Sequence, residues 1–135
     1  MSASLAFQKA ARAKLIAAAA VIALVPASNI VDANARPEAF PRINLGEDQE
    51  LPADEVVGRY TQLTSTLHVW SREPGLAGAK AIADTVKRAL RLHLWTLGNY
   101  RCIDCKFSSA RFIRDPDGLT AHGIVTFDSL IEELA

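Results

Sequence analysis

The sequence predicts an α+β fold with a four-stranded, mainly antiparallel sheet packed by two helices, in the order α-β-β-α-β-β. Residues 60–70 alternate in polarity, and Leu63, Leu67 and Val69 share one side, as in a half-buried strand. After a proline–glycine break the period changes to 3.6 over residues 79–94, which indicates an amphipathic helix. A long strand followed by a helix that packs back on it forms the nucleus of a two-layer domain.

The amino-terminal segment also has helical spacing. Ser4 can cap a helix that runs to about Ala23, and Pro26 ends it because the residue before a proline is disfavoured in the α region. The residues on one face of this helix are Phe7, Ala11, Leu15, Ala18 and Ile22. This stripe predicts a helix that packs on the sheet.

The same segment has the layout of a secretory signal peptide. Basic residues within positions 9–14 precede an apolar run at 15–25, and small residues follow it. The run is too short to anchor the chain in a bilayer. Because Leu5 and Phe7 extend the apolar stripe ahead of the basic residues, helix packing and export are both open from the residues alone.

Two segments complete the first half of the predicted sheet. Residues 28–39 are polar and irregular, and residues 40–46 form a short strand in which Pro41 suits a first or edge position. The acidic residues at 47–55 are predicted to form an extended, mobile loop that leads to the strand at 60–70, because like charges repel.

A second hairpin follows the central helix. Residues 97–99 predict the helix C-cap and a turn, and residues 100–114 predict a long strand with Ile103, Cys105 and Phe107 on one face. The segment Asp-Pro-Asp-Gly that follows is a strong turn signal. A last strand then runs from residue 119 to about 127, and the whole chain, 1–135, is predicted to be one domain.

The charge distribution is segregated although the net charge is zero. A zero balance argues against a dedicated nucleic-acid-binding protein, which usually has a basic excess. Residues 47–55 and 115–135 each carry a net charge of −5, whereas residues 56–114 carry +7 and residues 1–46 carry +3. Such blocks suit contacts between copies or with a partner, and an ordinary solvated surface is the alternative.

The candidate interface combines the acidic segment with two aromatic residues on the polar side of the central strand. Aromatic side chains at a contact surrounded by charges give specificity. The candidate residues are Glu47, Asp48, Glu50, Asp54, Glu55, Tyr60 and Trp70. A structural role for Trp70, as a residue that covers the core, is the alternative.

The two cysteines, Cys102 and Cys105, have the spacing of a redox motif, but they lie in a strand pattern rather than at a helix start. Positions three apart on a strand point to opposite faces, which predicts two reduced thiols. A zinc site needs further ligands, and His68, His93 and His122 are not spaced to provide them.

The sequence predicts no catalytic, cofactor-binding or metal site. It contains no nucleophile elbow and no glycine-rich phosphate loop. His93 is expected to pack at the apolar edge of the central helix. His122 is expected to point outward from the last strand, because it alternates with Ala121 and Gly123.

The order of several short motifs resembles the small phage tail-completion family, the tail terminators of siphophage-like tails and of gene transfer agents. The resemblance covers residues 4 to 128 and depends on order and spacing. Its motifs are Ile30-Val-Asp32, Phe40-Pro-Arg-Ile-Asn-Leu-Gly46, Leu67-His-Val-Trp70, Gly78-Ala-Lys-Ala-Ile-Ala-Asp84, Arg111-Phe-Ile-Arg-Asp-Pro-Asp-Gly118 and His122-Gly-Ile-Val-Thr-Phe127.

The resemblance implies a structural virion protein without catalytic residues, cofactors or membrane contact. It implies a hexameric ring that caps the tail tube and joins it to the head-side connector, assembled in the host cytoplasm and placed at the tail-to-head junction. DNA passes through such a ring without specific binding, and the acidic segment then lines the lumen or docks on the tube protein. Another neck protein of the same particle and a small exported domain are the alternatives.

Overall fold

The structure, a computed structural model, describes residues 2–32, 39–53, 59–91 and 95–134. Within these residues it contains three α-helices, a short 3-10 turn and six strands. The helices are α1 (Ala3–Ala17), α2 (Ala19–Ile22) and α3 (Ala77–Leu90), and the 3-10 turn spans Ala27–Asn29. The strands are β1 (Ile30–Val31), β2 (Arg42–Pro52), β3 (Tyr60–Arg72), β4 (Trp95–Leu97), β5 (Tyr100–Arg114) and β6 (Thr120–Glu133).

The strands form one mixed sheet, shaped as a half-barrel, in the order β1-β2-β3-β6-β5-β4. Strands β3 and β6 are its central pair, and their register runs from Tyr60 opposite Glu132 to Arg72 opposite Thr120. The β2–β3, β6–β5 and β5–β4 pairs are antiparallel, whereas β1 runs parallel to β2. The chain therefore enters the sheet at one edge and returns to its centre with the last strand.

The prediction of a four-stranded, mainly antiparallel sheet with two helices was wrong. Strands β1 and β4 are two and three residues long, too short to show a period in the sequence. The parallel β1–β2 pair makes the sheet mixed. The predicted amino-terminal helix is interrupted at Ala18, whose φ of −83° and ψ of 111° are extended, so the chain forms α1 and then the separate turn of α2.

The acidic segment is a strand rather than a loop as far as Pro52. After a bulge beyond Leu45, β2 continues to pair with β3, with Asp48 opposite Ser65 and Pro52 opposite Thr61. Pairing with β3 satisfies backbone groups of the acidic segment, and the charge pattern of the sequence does not reveal this pairing. Strand β2 is thus several residues longer than the predicted strand at 40–46.

Two predicted helix caps were misplaced. Ser2, not Ser4, caps α1, and its hydroxyl accepts a hydrogen bond from the Leu5 amide at 3.2 Å. Helix α3 ends at Leu90, and the turn that contains Gly98 joins β4 to β5 instead of ending the helix. Gly98 has a φ of 67°, the left-handed conformation that glycine adopts without steric cost.

The central strand and the second hairpin turn agree with the prediction. Leu63, Leu67 and Val69 are buried on one side of β3, together with Ser65, while the residues that alternate with them are partly exposed. The β5–β6 turn contains Gly118 at a φ of 71°. The Asp117 carboxylate accepts hydrogen bonds from the backbone amides of Leu119 and Thr120, at 2.8 and 3.0 Å, where β6 begins.

Helices α1 and α3 cover the same face of the sheet and supply much of the core. The buried residues of α1 are Ala3, Ala6, Phe7, Ala11 and Leu15, and those of α3 are Ala79, Ile82, Ala83, Val86 and Leu90. Phe127 of β6 is completely buried beneath them. The apolar run at 15–25 also contributes Leu15, Val21 and Val25 to this core. None of the described helices is long and apolar enough to cross a bilayer.

Candidate functional site

The sheet face opposite the two helices, called the open face here, carries alternate side chains of the central strands. The β3 side chains on it are Tyr60, Gln62, Thr64, Thr66, His68 and Trp70, and all are partly exposed. Facing residues of β6 include His122, Thr126 and Asp128. Because the helices pack on the other face, this polar surface is available for contacts beyond the subunit.

Four side chains at one end of the open face form a cluster, Glu47, His68, Trp70 and His122, called the His–Trp cluster here. The Trp70 and His122 rings stack with centroids 3.9 Å apart and planes 6° from parallel. His68 Nδ1 lies 2.7 Å from His122 Nε2, and one of the two nitrogens donates to the other. On its other side, His68 Nε2 donates to Glu47 Oε1 at 2.8 Å.

Two members of the cluster, Glu47 and His122, have a defined charge at neutral pH. The hydrogen bond from His68 lowers the pKa of Glu47, which therefore carries its negative charge. Burial, with a further contribution from His68, lowers the pKa of His122 to about 4, so this ring is neutral. The stacked Trp70 and His122 rings thus present an uncharged aromatic surface beside the exposed Glu47 carboxylate.

The stability of the fold is expected to decrease as the pH falls from about 6.5 to about 4. In this window the unfolded chain protonates His122, whose ordinary pKa is 6.5, whereas the folded chain does not. After allowance for solvent screening of a partly exposed ring, the loss is about 1–2 kcal/mol. Urea unfolding at several pH values measures it. The variant His122→Gln should show a shallower slope in this window, and an unchanged slope would contradict the assignment.

The other end of the open face is held by polar pairs between neighbouring strands. The Thr64 hydroxyl donates to the Asp128 carboxylate at 2.9 Å. The Glu132 carboxylate accepts from Arg101 at 2.7 Å and from the Tyr60 hydroxyl at 3.3 Å. The predicted interface residue Tyr60 is therefore engaged within the subunit, and its hydroxyl is oriented by Glu132.

The acidic candidate residues do not form one patch. Glu47 joins the His–Trp cluster, whereas Asp48 and Glu50 lie opposite Ser65 and Leu63, which places them on the helix side of the sheet. Glu50 Oε1 accepts from the Ser4 amide in the first turn of α1 at 2.8 Å. Partial burial and the neighbouring Glu50 charge raise the pKa of Asp48. Asp54 and Glu55 lie outside the described residues.

The prediction that the two cysteines face opposite sides of the sheet was wrong. Cys102 pairs with Ile131 and Asp104 with Leu130, so Ile103 is an extra residue that shifts the register. This bulge puts Cys102 and Cys105 on the same, buried face as free thiols. A hydrogen bond with Cys105 and burial raise the pKa of Cys102, so the Cys102 thiol stays protonated. Both buried cysteines are packing residues.

Sequence reasoning found Trp70 and Glu47 but missed the roles of His68 and His122 as a pair. The register between β3 and β6 brings them together, because His68 and Trp70 share one side of β3 and His122 lies opposite Trp70. No local signal in the sequence reveals this register, since β3 and β6 are far apart in the chain. His122 does lie on the open face, as its alternation predicted. His93 lies outside the described residues. Within the described ranges, no group of three or more potential ligand side chains is placed to hold a metal ion.

Comparison with known proteins assigns the chain to a family. The sequence matches the model of the family described as tail completion protein gp17 over residues 9–132. The chain belongs to the tail completion protein gp17 family. The resemblance drawn from the motifs is therefore confirmed, and as a member of this family the chain is a structural protein of a virion tail.

Two solved structures are similar to this member of the family. A chain described as belonging to the virion of a native gene transfer agent particle matches with a TM-score of 0.86 and 26% identity, over 97% of this chain and 98% of that one. The gp17 protein of bacteriophage SPP1 matches with a TM-score of 0.60 and 25% identity, over 94% and 89%. No curated protein sequence matches.

Proposed function

We propose that this tail completion protein is a tail terminator that forms a hexameric ring, caps the tail tube and joins it to the head-side connector. The likeness to a gene transfer agent virion protein over 97% of the chain, at a TM-score of 0.86, is the main support. A protein that ends a tail presents one face to the tube and another to the head. Head-to-tail contacts between identical subunits close into a ring with two different faces, which meets that need.

The proposed role is structural rather than enzymatic. Several polar groups on the open face are hydrogen-bonded to one another, as in the Glu47–His68–His122 series and the Tyr60–Glu132–Arg101 series. Such series fix side-chain positions on a surface, which suits specific recognition of a protein partner. The neutral Trp70–His122 stack provides an aromatic contact surface of the kind enriched at interfaces.

Two parts of the candidate interface are assigned different partners. Glu47, Trp70 and Tyr60 belong to the open face and are proposed to contact the tube protein or the head-side connector. Asp48 and Glu50 lie on the helix side, near the sheet edge, and are proposed to contact a second copy of the chain. The negative charge of the acidic sequence is proposed to disfavour binding of phosphate as DNA passes through the ring.

Electron microscopy of assembled particles tests the proposed function. Six copies are expected at the tail-to-head junction, because a single ring ends one tube. In cells that lack the protein, tubes of uncontrolled length without heads are expected, and wild-type protein supplied from a plasmid should restore joined particles.

Two outcomes would contradict the terminator role. Copies distributed along the tail, or placed at its distal tip, would exclude a cap at the head end. Copies at the junction combined with tubes of normal length in the deletion strain would instead indicate another neck protein of the same particle.

A further inference from the structure

In the part of the chain that the structure describes, the outer edge of β2 is acidic and has no partner strand along its second half. Strand β1 pairs only with Ile43 and Asn44, so among the described residues no strand covers Glu47–Pro52 on the side away from β3. Asp48 and Glu50 lie on the helix side of this edge and are exposed, and Leu51 lies on the open face with 51% of its surface exposed. This edge thus combines a backbone that lacks a partner strand among the described residues, two carboxylates and one apolar side chain.

The outer edge of β5, on the opposite side of the sheet, is basic, and among the described residues only β4 pairs with it, at one end. Strand β4 pairs only with Tyr100–Cys102, so no described strand covers the rest of β5 on the side away from β6. Arg111 and Arg114 are exposed here, and Ile113 exposes 38% of its surface. Free strand edges are ready templates for pairing with another chain.

A groove with aromatic walls and two lysines follows the β5 edge on its helix side. It has a volume of about 250 Å³ and is lined by Lys80, Ala83, Asp84, Lys87, Phe107, Ala110 and Phe112. The Lys87 ammonium lies 4.5 Å from the centre of the Phe107 ring, and the Lys80 ammonium lies 5.9 Å from that of Phe112. Both lysines are therefore held next to the free edge by the side chains of that edge.

We propose that the acidic β2 edge of one subunit pairs with the basic β5 edge and the adjoining α3 lysines of the next subunit. This contact between neighbouring subunits, called the seam here, rests on the proposed ring function. In one sheet β2 and β5 run in opposite directions, so subunits related by an axis roughly along the strands bring the two edges together as antiparallel neighbours. The sheet then continues from subunit to subunit.

Charge selects this pairing over the two self-pairings. The β2 edge meeting its own copy would oppose carboxylates, and the β5 edge meeting its own copy would oppose lysines and arginines. In the head-to-tail seam, Asp48 and Glu50 lie on the same side of the sheet as Lys80 and Lys87. Partial burial and repulsion from Glu50 raise the pKa of Asp48 in the single subunit, and a lysine beside Asp48 would offset the second of these effects.

The apolar side chains add to the same seam. Leu51 lies opposite Gln62, and Ile113 lies opposite His122, which places both on the open face at the two free edges. A contact between copies removes these side chains from water, with charges around them. The contact joins a patch on one copy to a different patch on the next copy, and contacts of this type can close into a ring.

A charge-swap experiment tests the seam. One variant reverses the acidic edge (Asp48→Lys with Glu50→Lys), and another reverses the basic edge (Lys80→Glu with Lys87→Glu). Native mass spectrometry, with purified tail tubes added where needed, is expected to show about a tenfold or larger loss of rings for each variant alone. An equimolar mixture should recover rings, because every seam in an alternating ring again joins opposite charges.

Two controls separate loss of assembly from loss of folding. Asp48→Lys with Glu50→Gln keeps an acceptor oxygen for the Ser4 amide and should lose rings as well. Lys9→Glu reverses a charge on the exposed face of α1 and should leave ring formation at the wild-type level. Thermal unfolding of each variant confirms that the subunit is folded.

The outcomes distinguish the seam from the ring itself. Wild-type protein that forms no rings, with or without tubes, would overturn the ring function and the seam together. Rings at the wild-type level in both reversed variants would overturn the seam alone and leave the terminator role in place. Loss of rings in each variant without recovery in the mixture would also overturn the seam.

Discussion

Leu15→Ala is expected to destabilise the fold by about 2–5 kcal/mol, the range for removal of a completely buried leucine side chain. Leu15 has 0% of its surface exposed and lies in the core formed by α1, α3 and the sheet. The substitution removes one methine and two methyl groups and leaves a cavity that the rigid sheet beneath cannot close. Urea or guanidinium unfolding, followed by circular dichroism, measures the change in the free energy of unfolding.

Leu5→Ala is the matched control on the same helix. Leu5 has 39% of its surface exposed, so the same chemical change should alter the free energy of unfolding by about 0.5 kcal/mol or less. Equal effects of the two substitutions would mean that α1 does not pack as described. The comparison also bears on the alternative of a signal peptide, because a segment removed before folding would make both substitutions silent in the mature protein.

Gly46→Ala is expected to destabilise the fold by about 1–3 kcal/mol and to displace His68 from Glu47. Gly46 lies in the bulge of β2, where a Cβ atom would stand 2.6 Å from the His68 ring and 2.9 Å from the Thr66 carbonyl oxygen. The ring can move, but the carbonyl belongs to the paired backbone of β3 and cannot move without loss of strand pairing. Chemical unfolding gives the energy, and histidine NMR shifts report the loss of the hydrogen bond with Glu47.

Gly75→Ala is the control for Gly46→Ala. A Cβ atom at Gly75 meets nothing within 4 Å, so this variant should unfold at nearly the wild-type denaturant concentration. If Gly46→Ala were as stable as Gly75→Ala, with unchanged His68 resonances, the close approach at the bulge would be refuted. If it lost stability while tail joining stayed normal, the His–Trp cluster would be excluded from the partner contact.

The agreement between sequence and structure is greatest where a pattern is long and local. The alternation through β3 and the 3.6-residue period through α3 each extend over several turns or residue pairs, so one face of each was identified correctly. The β5–β6 turn was also predictable, because Gly118 occupies a left-handed position that few other residues accept. The family was predictable from the order of short motifs over most of the chain.

The errors occur where pairing between distant segments overrides a local signal. The charges at Glu47, Asp48 and Glu50 favour a loop, but hydrogen bonds with β3 and the contacts to His68 and Ser4 hold this segment as a strand. A bulge at Ile103 changed which face the following residues occupy, because one inserted residue reverses the period-two assignment.

The sequence alone determined the central strand, the helix that covers it, the segregation of charge and the membership of a tail protein family, since each depends on local periodicity, composition or motif order. Only the tertiary structure decided that His68, His122 and Trp70 meet on one face, and that an acidic and a basic strand edge lie on opposite sides of one sheet. These features depend on register and strand order, which are set by contacts between residues far apart in the chain.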